Sequence, residues 1–177
     1  MSMNMKKVAA AAVAFLTLAA TGAQAASFSF EAESANKITP PFRIGKTVGC
    51  SGGLCVFQPL HSGRPPAVKC WAGYKINITT PGRYRVWGRC LWQNGCGNSF
   101  DVQIDNSQPY ILGQDGTYNR WHWVEVKGHA FNLSRGVHSM YLRNREDGPT
   151  IDQYYFTTDD DDVPAGSYSQ NPGILVR

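Results

Sequence analysis

Three acidic residues near the two ends of the chain have side chains that could bind a metal ion. Glu31 and Glu33 are two residues apart in the segment Phe28–Glu33, and on a strand this spacing points both carboxylates to the same face. Asp152 lies in a second apolar segment near the other end of the chain. If the first and last strands pair, the carboxylates converge on a site that suits a hard cation such as calcium. The alternative is that Glu31 and Glu33 face solvent or pair with arginine and lysine.

A serine in a glycine-rich segment could act as a nucleophile. Residues 49–53 read Gly-Cys-Ser-Gly-Gly, which fits the G-x-S-x-G pattern of a hydrolase nucleophile elbow. That elbow needs a helix after the serine, whereas residues 54–57 have the pattern of a strand. We therefore interpret Ser51 as part of a glycine-rich turn. Glycosidase chemistry is also disfavoured, because it needs two carboxylates that face each other across an open cleft, and Glu31 and Glu33 are neighbours.

Aromatic residues beside amide side chains give the strongest indication of a binding surface. The chain has five Trp and eight Tyr residues. Trp92 is followed by Gln-Asn-Gly, which predicts an exposed loop, and residues 118–121 (Tyr-Asn-Arg-Trp) form a second segment of this kind. Such rings can stack on the apolar faces of sugars while the amides bind hydroxyl groups. Trp71 and Trp87 are expected to pack inside the protein instead.

Five cysteines stand at positions 50, 55, 70, 90 and 96. In an oxidising compartment disulfide bonds are the default interpretation. The close spacings suggest pairs between Cys50 and Cys55 and between Cys90 and Cys96, which leaves Cys70 unpaired, although the sequence leaves the connectivity open. Cys70 lies on an apparent strand and is expected to be a small buried residue.

The segments that must position these residues alternate with a period of two. Residues 74–78, 84–88 and 100–104 place apolar or small residues at every second position, which is typical of half-buried strands. Turn signals separate the strands at short intervals, and the chain has 18 Gly and 10 Pro. We predict an all-β antiparallel sandwich over residues 26–166, followed by a tail over residues 167–177 that wraps or trails.

The N-terminus predicts export. Lys6 and Lys7 precede an apolar run of 13 residues, and Ala-Gln-Ala at 23–25 matches a cleavage site, so residues 1–25 have the pattern of a signal peptide. The run is too short for a membrane span, which needs about 20 residues. Loss of the two lysines lowers the net charge from +4 to +2, which disfavours a nucleic-acid partner. We expect a secreted or periplasmic protein without a membrane span.

Several short motifs together resemble the β-sandwich carbohydrate-binding modules of families 6 and 35, which have a galactose-binding-like jelly-roll fold. The resemblance covers residues 28–166, and each motif is weak alone, whereas their order and spacing are more specific. The motifs are Phe30–Glu33, Ser51–Gly53, Gly82–Arg89, Ser99–Asp105, Trp121–Trp123, Leu133–His138, Arg145–Gly148 and Ile151–Asp152.

The resemblance implies a function and a set of site residues. It implies a structural calcium ion held by Glu31, Glu33 and Asp152. It also implies non-catalytic binding of a polysaccharide or glycoconjugate by loops at one end of the sandwich, and a Cys90–Cys96 bridge would pre-organise one of these loops. The carbohydrate-binding residues are then expected to be Trp92, Asn94, Tyr118, Trp121, Arg145 and Asp147.

An alternative function class remains open at this point. An exported structural or adhesive protein could keep the same sandwich without binding sugar. Such a protein would assemble through the unpaired Cys70 or through an exposed edge strand.

Overall fold

Residues 25–177 form twelve β-strands. They are described by a computed structural model, and the predicted signal peptide lies outside the described residues except for Ala25. Two three-residue 3₁₀ helices, Ala32–Ser34 and Ser51–Gly53, interrupt the strands. In this part of the chain neither helix is long and apolar enough to cross a membrane. The strands are β1 (Ser27–Glu31), β2 (Lys37–Ile38), β3 (Arg43–Gly45), β4 (Cys55–Phe57), β5 (Trp71–Ile78), β6 (Gly82–Leu91), β7 (Ser99–Ile104), β8 (Tyr110–Gly113), β9 (Trp121–Glu125), β10 (Phe131–Leu133), β11 (Gly136–Asn144) and β12 (Thr150–Thr157).

The strands form two antiparallel sheets. In the seven-stranded sheet β10, β6, β12, β4 and β3 are neighbours in that order, while β1 also pairs with β12 and β9 with β6. In the five-stranded sheet the order is β2, β5, β11, β7 and β8. Apolar side chains of both sheets form one core cluster between them. The predicted all-β antiparallel sandwich is therefore confirmed.

Alternation along the strands decides which side chains fill the core. Tyr74, Ile76 and Ile78 of β5 are at most 2% exposed, and Phe100 and Val102 of β7 are fully buried. The residues between them point outward, because successive side chains of a strand lie on opposite faces. Each sheet therefore has a core face and an outer face.

The first and last strands pair, which meets the condition under which the acidic residues near the two ends of the chain converge. β1 runs antiparallel to β12, with Glu31 opposite Gln153. β12 also pairs with β6, and its register shifts between Ile151 and Gln153, so that Asp152 lies in a bulge. Bulges re-aim a side chain and are common beside functional sites. Here the bulge and the strand pairing bring Asp152 and Glu31 to the same part of the sheet.

The C-terminal residues lie against the sandwich. Tyr168 stacks on Tyr155 of β12, with 4.8 Å between the ring centroids. Further along the chain, Leu175 forms an antiparallel bridge with Ile76 of β5. The tail thus covers part of the outer face of the seven-stranded sheet. It then pairs with β5 along the same edge that β2 uses in the five-stranded sheet.

Candidate functional site

Three carboxylates meet where β1 ends beside β12. Glu31 is the last residue of β1, Asp152 lies in the β12 bulge, and Glu33 belongs to the 3₁₀ helix that follows β1. The prediction that Glu31 and Glu33 share a strand face is wrong, because the chain leaves the strand after Glu31. The short helix still keeps Glu33 close enough for the charges of Glu31 and Asp152 to act on it.

The glycine turn at residues 51–53 binds two of these carboxylates. The backbone N–H of Ser51 donates to Asp152 Oδ1 at 2.9 Å, and its hydroxyl donates to Glu31 Oε1 at 2.8 Å. The guanidinium of Arg89 forms an ion pair with Asp152 Oδ2. Because strand β4 and not a helix follows the turn, Ser51 lacks the setting of a nucleophile elbow. Its role is to hold the carboxylates in place.

The carboxylate cluster has buried oxygens that its hydrogen bonds do not satisfy. Within residues 25–177, Glu31 Oε2 and Glu33 Oε2 are buried and have no hydrogen-bond partner. Burial, helped by the charges of Glu31 and Asp152, raises the pKa of Glu33 to about 7. Burial also raises the pKa of Asp152 to about 6, although Arg89 opposes this shift. Two unpaired carboxylate oxygens suit a hard cation. Within the described chain, no group of three or more His, Cys, Asp or Glu side chains has a metal-binding arrangement.

The predicted sugar-binding residues belong mainly to three loops at one end of the sandwich, which we call the loop end. Tyr118 is 39% exposed there, and its hydroxyl accepts a hydrogen bond from Asn98 Nδ2 at 3.3 Å. Asn94 is also exposed, and its Oδ1 accepts the N–H of Cys96 at 2.8 Å. These residues lie on the surface, as the sequence predicts. The three loops are residues 92–98, 114–120 and 145–149.

Trp92 does not contribute to this surface. Its side chain is fully buried, with ring centroids of Phe100 and His122 at 5.8 and 5.9 Å. Its Nε1–H donates to Asp115 Oδ1 at 3.1 Å. The prediction that Trp92 is an exposed stacking residue is wrong, because Trp92 continues the inward-facing positions of β6 past the end of that strand.

Two further predicted residues of the loop end are held by the protein itself. Asp147 Oδ2 accepts the N–H of His61 at 2.7 Å, and Asp147 Oδ1 accepts the N–H of Ser62 at 3.1 Å. Arg145 donates to Ser99 Oγ at 2.8 Å. These contacts hold both side chains against neighbouring segments. They leave the carboxylate of Asp147 little hydrogen-bonding capacity for a ligand, whereas the Arg145 guanidinium keeps further donors.

Trp121 lies on the outer face of the seven-stranded sheet, away from Tyr118. Its Nε1–H donates to the carbonyl oxygen of Val48 at 2.8 Å. The guanidinium of Arg89 lies 5.0 Å from its ring centroid, within the range of a cation–π contact. Trp121 therefore fastens the segment around Val48 to the sheet.

A shallow groove of about 150 Å³ lies on the outer face of the five-stranded sheet, where the sequence did not predict a site. Two partly exposed rings, Trp71 of β5 and Tyr141 of β11, meet there edge to face, with centroids 5.5 Å apart and an interplanar angle of 78°. A Cβ at Gly73 would lie 2.8 Å from the Trp71 ring, so the absence of a side chain at Gly73 lets this ring lie close to the strand. We call it the sheet-face groove, and it is lined by Asn36, Lys37, Trp71, Gly73, Tyr74, Lys75, Ser139 and Tyr141.

Cationic groups surround the two rings of the sheet-face groove. Lys37 Nζ lies 5.5 Å from the Trp71 ring centroid, and the guanidinium of Arg143 lies 5.2 Å from that of Tyr141. Lys75 Nζ donates to Ser139 Oγ at 2.8 Å, which uses one of its three donors. The groove therefore offers apolar ring surface with unused hydrogen-bond donors beside it.

The prediction that Trp71 and Trp87 pack inside the protein is wrong, since both are only partly buried. Trp71 faces the sheet-face groove, and Trp87 lies on the outer face of the seven-stranded sheet, 5.0 Å from the guanidinium of Arg85. Strand alternation is the signal that could have placed them. Trp71 is out of phase with buried Tyr74, and Trp87 is out of phase with buried Val86.

All five cysteines are free thiols in this structure. Cys90 is fully buried, whereas Cys96 is exposed in the loop end, so the predicted bridge between them is not formed. Cys50 and Cys55 flank the glycine turn, and a disulfide between them stays a prediction. Cys70 is 2% exposed, and burial raises the pKa of its thiol to about 11, so it offers no accessible sulfur for assembly.

Comparison with known proteins places the fold. No family model matches the chain. Over 108 residues the chain is 32% identical to "Uncharacterized protein P23" of Formosa agariphila, which covers 51% of this chain and 26% of that protein. The chain thus spans about a quarter of the length of this curated relative.

Solved structures with a similar fold contain carbohydrate-binding modules. A family 35 module from Clostridium thermocellum superposes with a TM-score of 0.57 at 15% identity, over 74% of this chain and 97% of that module. The C-terminal CBM6 of LamC from Zobellia galactanivorans gives a TM-score of 0.53 at 20% identity, over 75% and 99% of the two chains. This chain has the fold of the family 6 and family 35 carbohydrate-binding modules.

The same module fold also occurs inside larger enzymes. The GH26-CBM35 β-(1,4)-mannanase of Podospora anserina gives a TM-score of 0.60 at 18% identity, over 78% of this chain and 29% of that enzyme. The resemblance read from the sequence motifs is therefore confirmed at the level of the fold. Because one fold can host different functions, the fold alone does not locate a binding site, and the side chains determine it.

Proposed function

We propose that this protein binds carbohydrate without changing it chemically, and that the sheet-face groove is its binding surface. The observation that carries the proposal is the partly exposed pair of rings, Trp71 and Tyr141, on either side of Gly73. Recognition sites combine apolar and aromatic walls with a few well-placed polar groups. The groove has both features on one face of a rigid sheet.

The chemistry of sugars fits this arrangement. A pyranose ring has an apolar face of C–H groups, which packs on an aromatic ring, and hydroxyl groups at its edge, which need donors and acceptors. Trp71 offers the larger ring surface. Lys75 and Ser139 place ammonium and hydroxyl groups around the same groove, whereas the Asn36 amide already accepts the Lys75 N–H and donates to the Val176 carbonyl. A sugar that stacks on Trp71 can therefore exchange its hydrogen bonds with water for hydrogen bonds with the protein.

The rings are held before the ligand arrives. The edge-to-face contact between Trp71 and Tyr141 fixes the orientation of both, and each has a cation over its ring. Both residues lie on long central strands, β5 and β11, which pair over eight residues from Trp71 to Ile78. Binding therefore requires little ordering of side chains, and this reduces its entropic cost.

The loop end is a second, smaller candidate surface. Tyr118 and Asn94 are exposed there and could contact a longer chain, whereas Arg145 and Asp147 already bind neighbouring loops. We assign Tyr118 an auxiliary role, because it is a single ring without an aromatic partner at ring-stacking distance in the described structure. Substitutions of Trp71 and of Tyr118 therefore distinguish the sheet-face groove from the loop end.

The test compares Trp71→Ala, Tyr141→Ala and Tyr118→Ala by affinity electrophoresis in gels that contain soluble polysaccharides identified on a glycan array. We expect Trp71→Ala to weaken retention about 10- to 30-fold, in the range of an aromatic hot spot. Tyr141→Ala is expected to follow, and Tyr118→Ala should have a small effect. Retention that depends on Tyr118 and not on Trp71 would overturn the assignment of the groove, and full retention in all three variants would overturn both surfaces.

We also propose that Glu31 and Glu33 hold a structural calcium ion. Their two unpaired, buried oxygens support this, and a bound cation would offset the burial and the neighbouring carboxylate charges that raise the pKa of Glu33 to about 7. Asp152 is less available, since Ser51 and Arg89 already bind its oxygens. The ion would link the end of β1 to β12 and to the glycine turn, and so stabilise the fold.

Thermal unfolding with calcium chloride or with a chelator tests the ion. A ligand at 100 times its Kd stabilises the folded state by about 2.7 kcal/mol, so the Tm should rise clearly with calcium. Glu33→Gln should abolish the response, whereas Asp160→Asn should keep it, because Asp160 is an exposed acid outside the cluster. A Tm that does not respond to calcium, or the same response in Glu33→Gln, would contradict the site.

We propose further that the protein works outside the cytoplasm, after removal of residues 1–25. The motifs of the N-terminal sequence support this, and so does the kind of module whose fold the chain shares. N-terminal sequencing of the protein from culture medium or periplasm should begin at Ala26. A chain that retains its first residues in the cytoplasm would contradict export.

A further inference from the structure

We propose that the sheet-face groove selects polysaccharides that carry negatively charged groups, such as sulfate esters or uronate carboxylates. This inference rests on the proposed function, because it names the class of ligand for the same groove. It is supported by two lysines that line the groove and by the ion pairs that nearby acidic residues form with arginine and histidine.

The two lysines flank the position where the ligand would stack. Lys37 of β2 is directly opposite Gly73 of β5, and Lys75 follows Gly73 by two residues on the same outward face. Both lysines are exposed. An anionic group on a sugar stacked against Trp71 would therefore have an ammonium group on either side.

Acidic side chains near the groove are already paired. Of the residues 25–177 that line the groove, none is Asp or Glu. Asp101 on β7 is 4.0 Å from the guanidinium of Arg145 and opposite Arg143 in register. Asp105, just after β7, lies 2.6 Å from His138 Nδ1. The charged residues that line the groove, Lys37 and Lys75, are therefore both positive.

Arg143 extends this positive character along the face. Its guanidinium lies over the Tyr141 ring, and its Nε and Nη2 donate to Gln103 Oε1 at 3.1 and 2.9 Å. These contacts leave other guanidinium donors free, since arginine has five. A chain that crosses from β5 to β7 would meet lysine, aromatic rings and arginine in succession, which suits a repeating anionic polymer.

The expected size of the effect is modest for each charge. Contacts between exposed charges are screened by water and salt, so removal of one lysine should weaken binding about two- to fivefold. Binding of an anionic chain should also weaken with added salt, whereas stacking of a neutral chain should not. Selectivity and salt dependence are therefore the properties to measure.

The experiment uses matched pairs of probes with the purified protein. One pair is κ-carrageenan and its desulfated product, and the other is alginate and carboxyl-reduced alginate, so that sulfate and carboxylate are distinguished. Lys75→Gln should weaken binding of at least one anionic probe about two- to fivefold more than binding of its uncharged product. Lys75→Arg should retain binding, and Lys127→Gln, an exposed lysine outside the groove, serves as the control.

The outcomes separate this inference from the proposed function. Equal affinity for charged and uncharged probes, with loss only in Trp71→Ala, would overturn the charge selectivity and keep the groove as a glycan site. Binding that survives Trp71→Ala would overturn the groove itself. A single-stranded DNA oligomer bound as tightly as the anionic glycans would show a general response to polyanions and would also overturn the inference.

Discussion

The loop end and the sheet-face groove use similar side chains in opposite ways. At the loop end, the carboxylate of Asp147 accepts hydrogen bonds from two backbone N–H groups, and Arg145 binds Ser99. In the sheet-face groove, Lys75 makes one hydrogen bond, and Trp71 presents ring surface to solvent. Polar and aromatic residues are therefore consumed by structure in one region and left available in the other.

The difference comes from how each region is built. Irregular loops have no ladder of backbone hydrogen bonds, so their side chains must satisfy the backbone groups that the loops leave unpaired. Strands β5 and β11 satisfy their own backbone groups across eight paired residues, from Trp71 to Ile78. The backbone groups of these strands therefore need no side-chain partners, so the outward side chains are available to bind a ligand.

The largest expected effect separates two tryptophans. Trp92 is fully buried, so Trp92→Ala should lower the free energy of unfolding by about 3–5 kcal/mol, the cost of removing a large aromatic from a core. Trp71→Ala should change stability by only about 1 kcal/mol, because Trp71 is partly exposed, while it weakens glycan binding about 10- to 30-fold. Urea denaturation measures the first quantity and affinity electrophoresis the second.

The two variants control for each other. Trp92→Phe keeps most of the buried volume and should recover part of the lost stability. The comparison between the regions would fail if Trp92→Ala were as stable as the wild-type protein and lost retention on polysaccharide, since Trp92 would then be a ligand-binding residue.

The sequence contained the information that places these tryptophans. Val86 and Cys90 are in-phase core positions of β6, and continuing the same count puts Trp92 inside and Trp87 outside. Counting back from Tyr74 puts Trp71 outside. The glycine-rich and polar residues that follow Trp92 favour an exposed loop, but the period of two is set by strand geometry and here continues past the end of β6.

Other parts of the molecule could not be read in this way. The acidic motifs at both ends converge only if β1 pairs with β12, a condition that the sequence leaves open and the structure meets. The bulge at Asp152 and its ion pair with Arg89 depend on strand register, which a single sequence does not specify. Likewise, Asp147 binds a loop 85 residues earlier in the chain, a contact that no local pattern indicates.

A smaller effect is expected for Asp147. Asp147→Ala leaves the N–H of His61 without an acceptor and the N–H of Ser62 with only its longer bond to the Pro59 carbonyl at 3.3 Å, which should cost about 1–3 kcal/mol of unfolding free energy. Retention on polysaccharide should stay unchanged at temperatures where the variant is folded. A stable variant with weakened retention would indicate that Asp147 binds ligand, as the sequence suggested, and would move the binding surface to the loop end.

The smallest effect is a pH dependence of the stability that arises at His138 of β11, next to the groove residue Ser139. Partial burial lowers the pKa of His138, but hydrogen bonds to Asp105 and to the Ser134 carbonyl raise it more, so the net shift is upward from 6.5. The folded protein therefore holds this proton more tightly than the unfolded chain does. The stabilisation is fully present below the unfolded pKa and is lost as the pH rises through the folded pKa.

Asp105→Asn tests this linkage beside the groove. Asparagine can still accept the Ser139 N–H, which Asp105 Oδ1 binds at 2.9 Å, so only the charge is removed. The variant should be less stable than the wild type by a few tenths to about 1 kcal/mol at pH 5.5, and the difference should vanish near pH 9. Urea denaturation at both values measures it, and a difference that is the same at both would exclude the His138 proton as its cause. Because Ser139 lines the groove and keeps its backbone contact, retention on a neutral polysaccharide should not change between the two pH values, which would again separate a structural contact from a binding one.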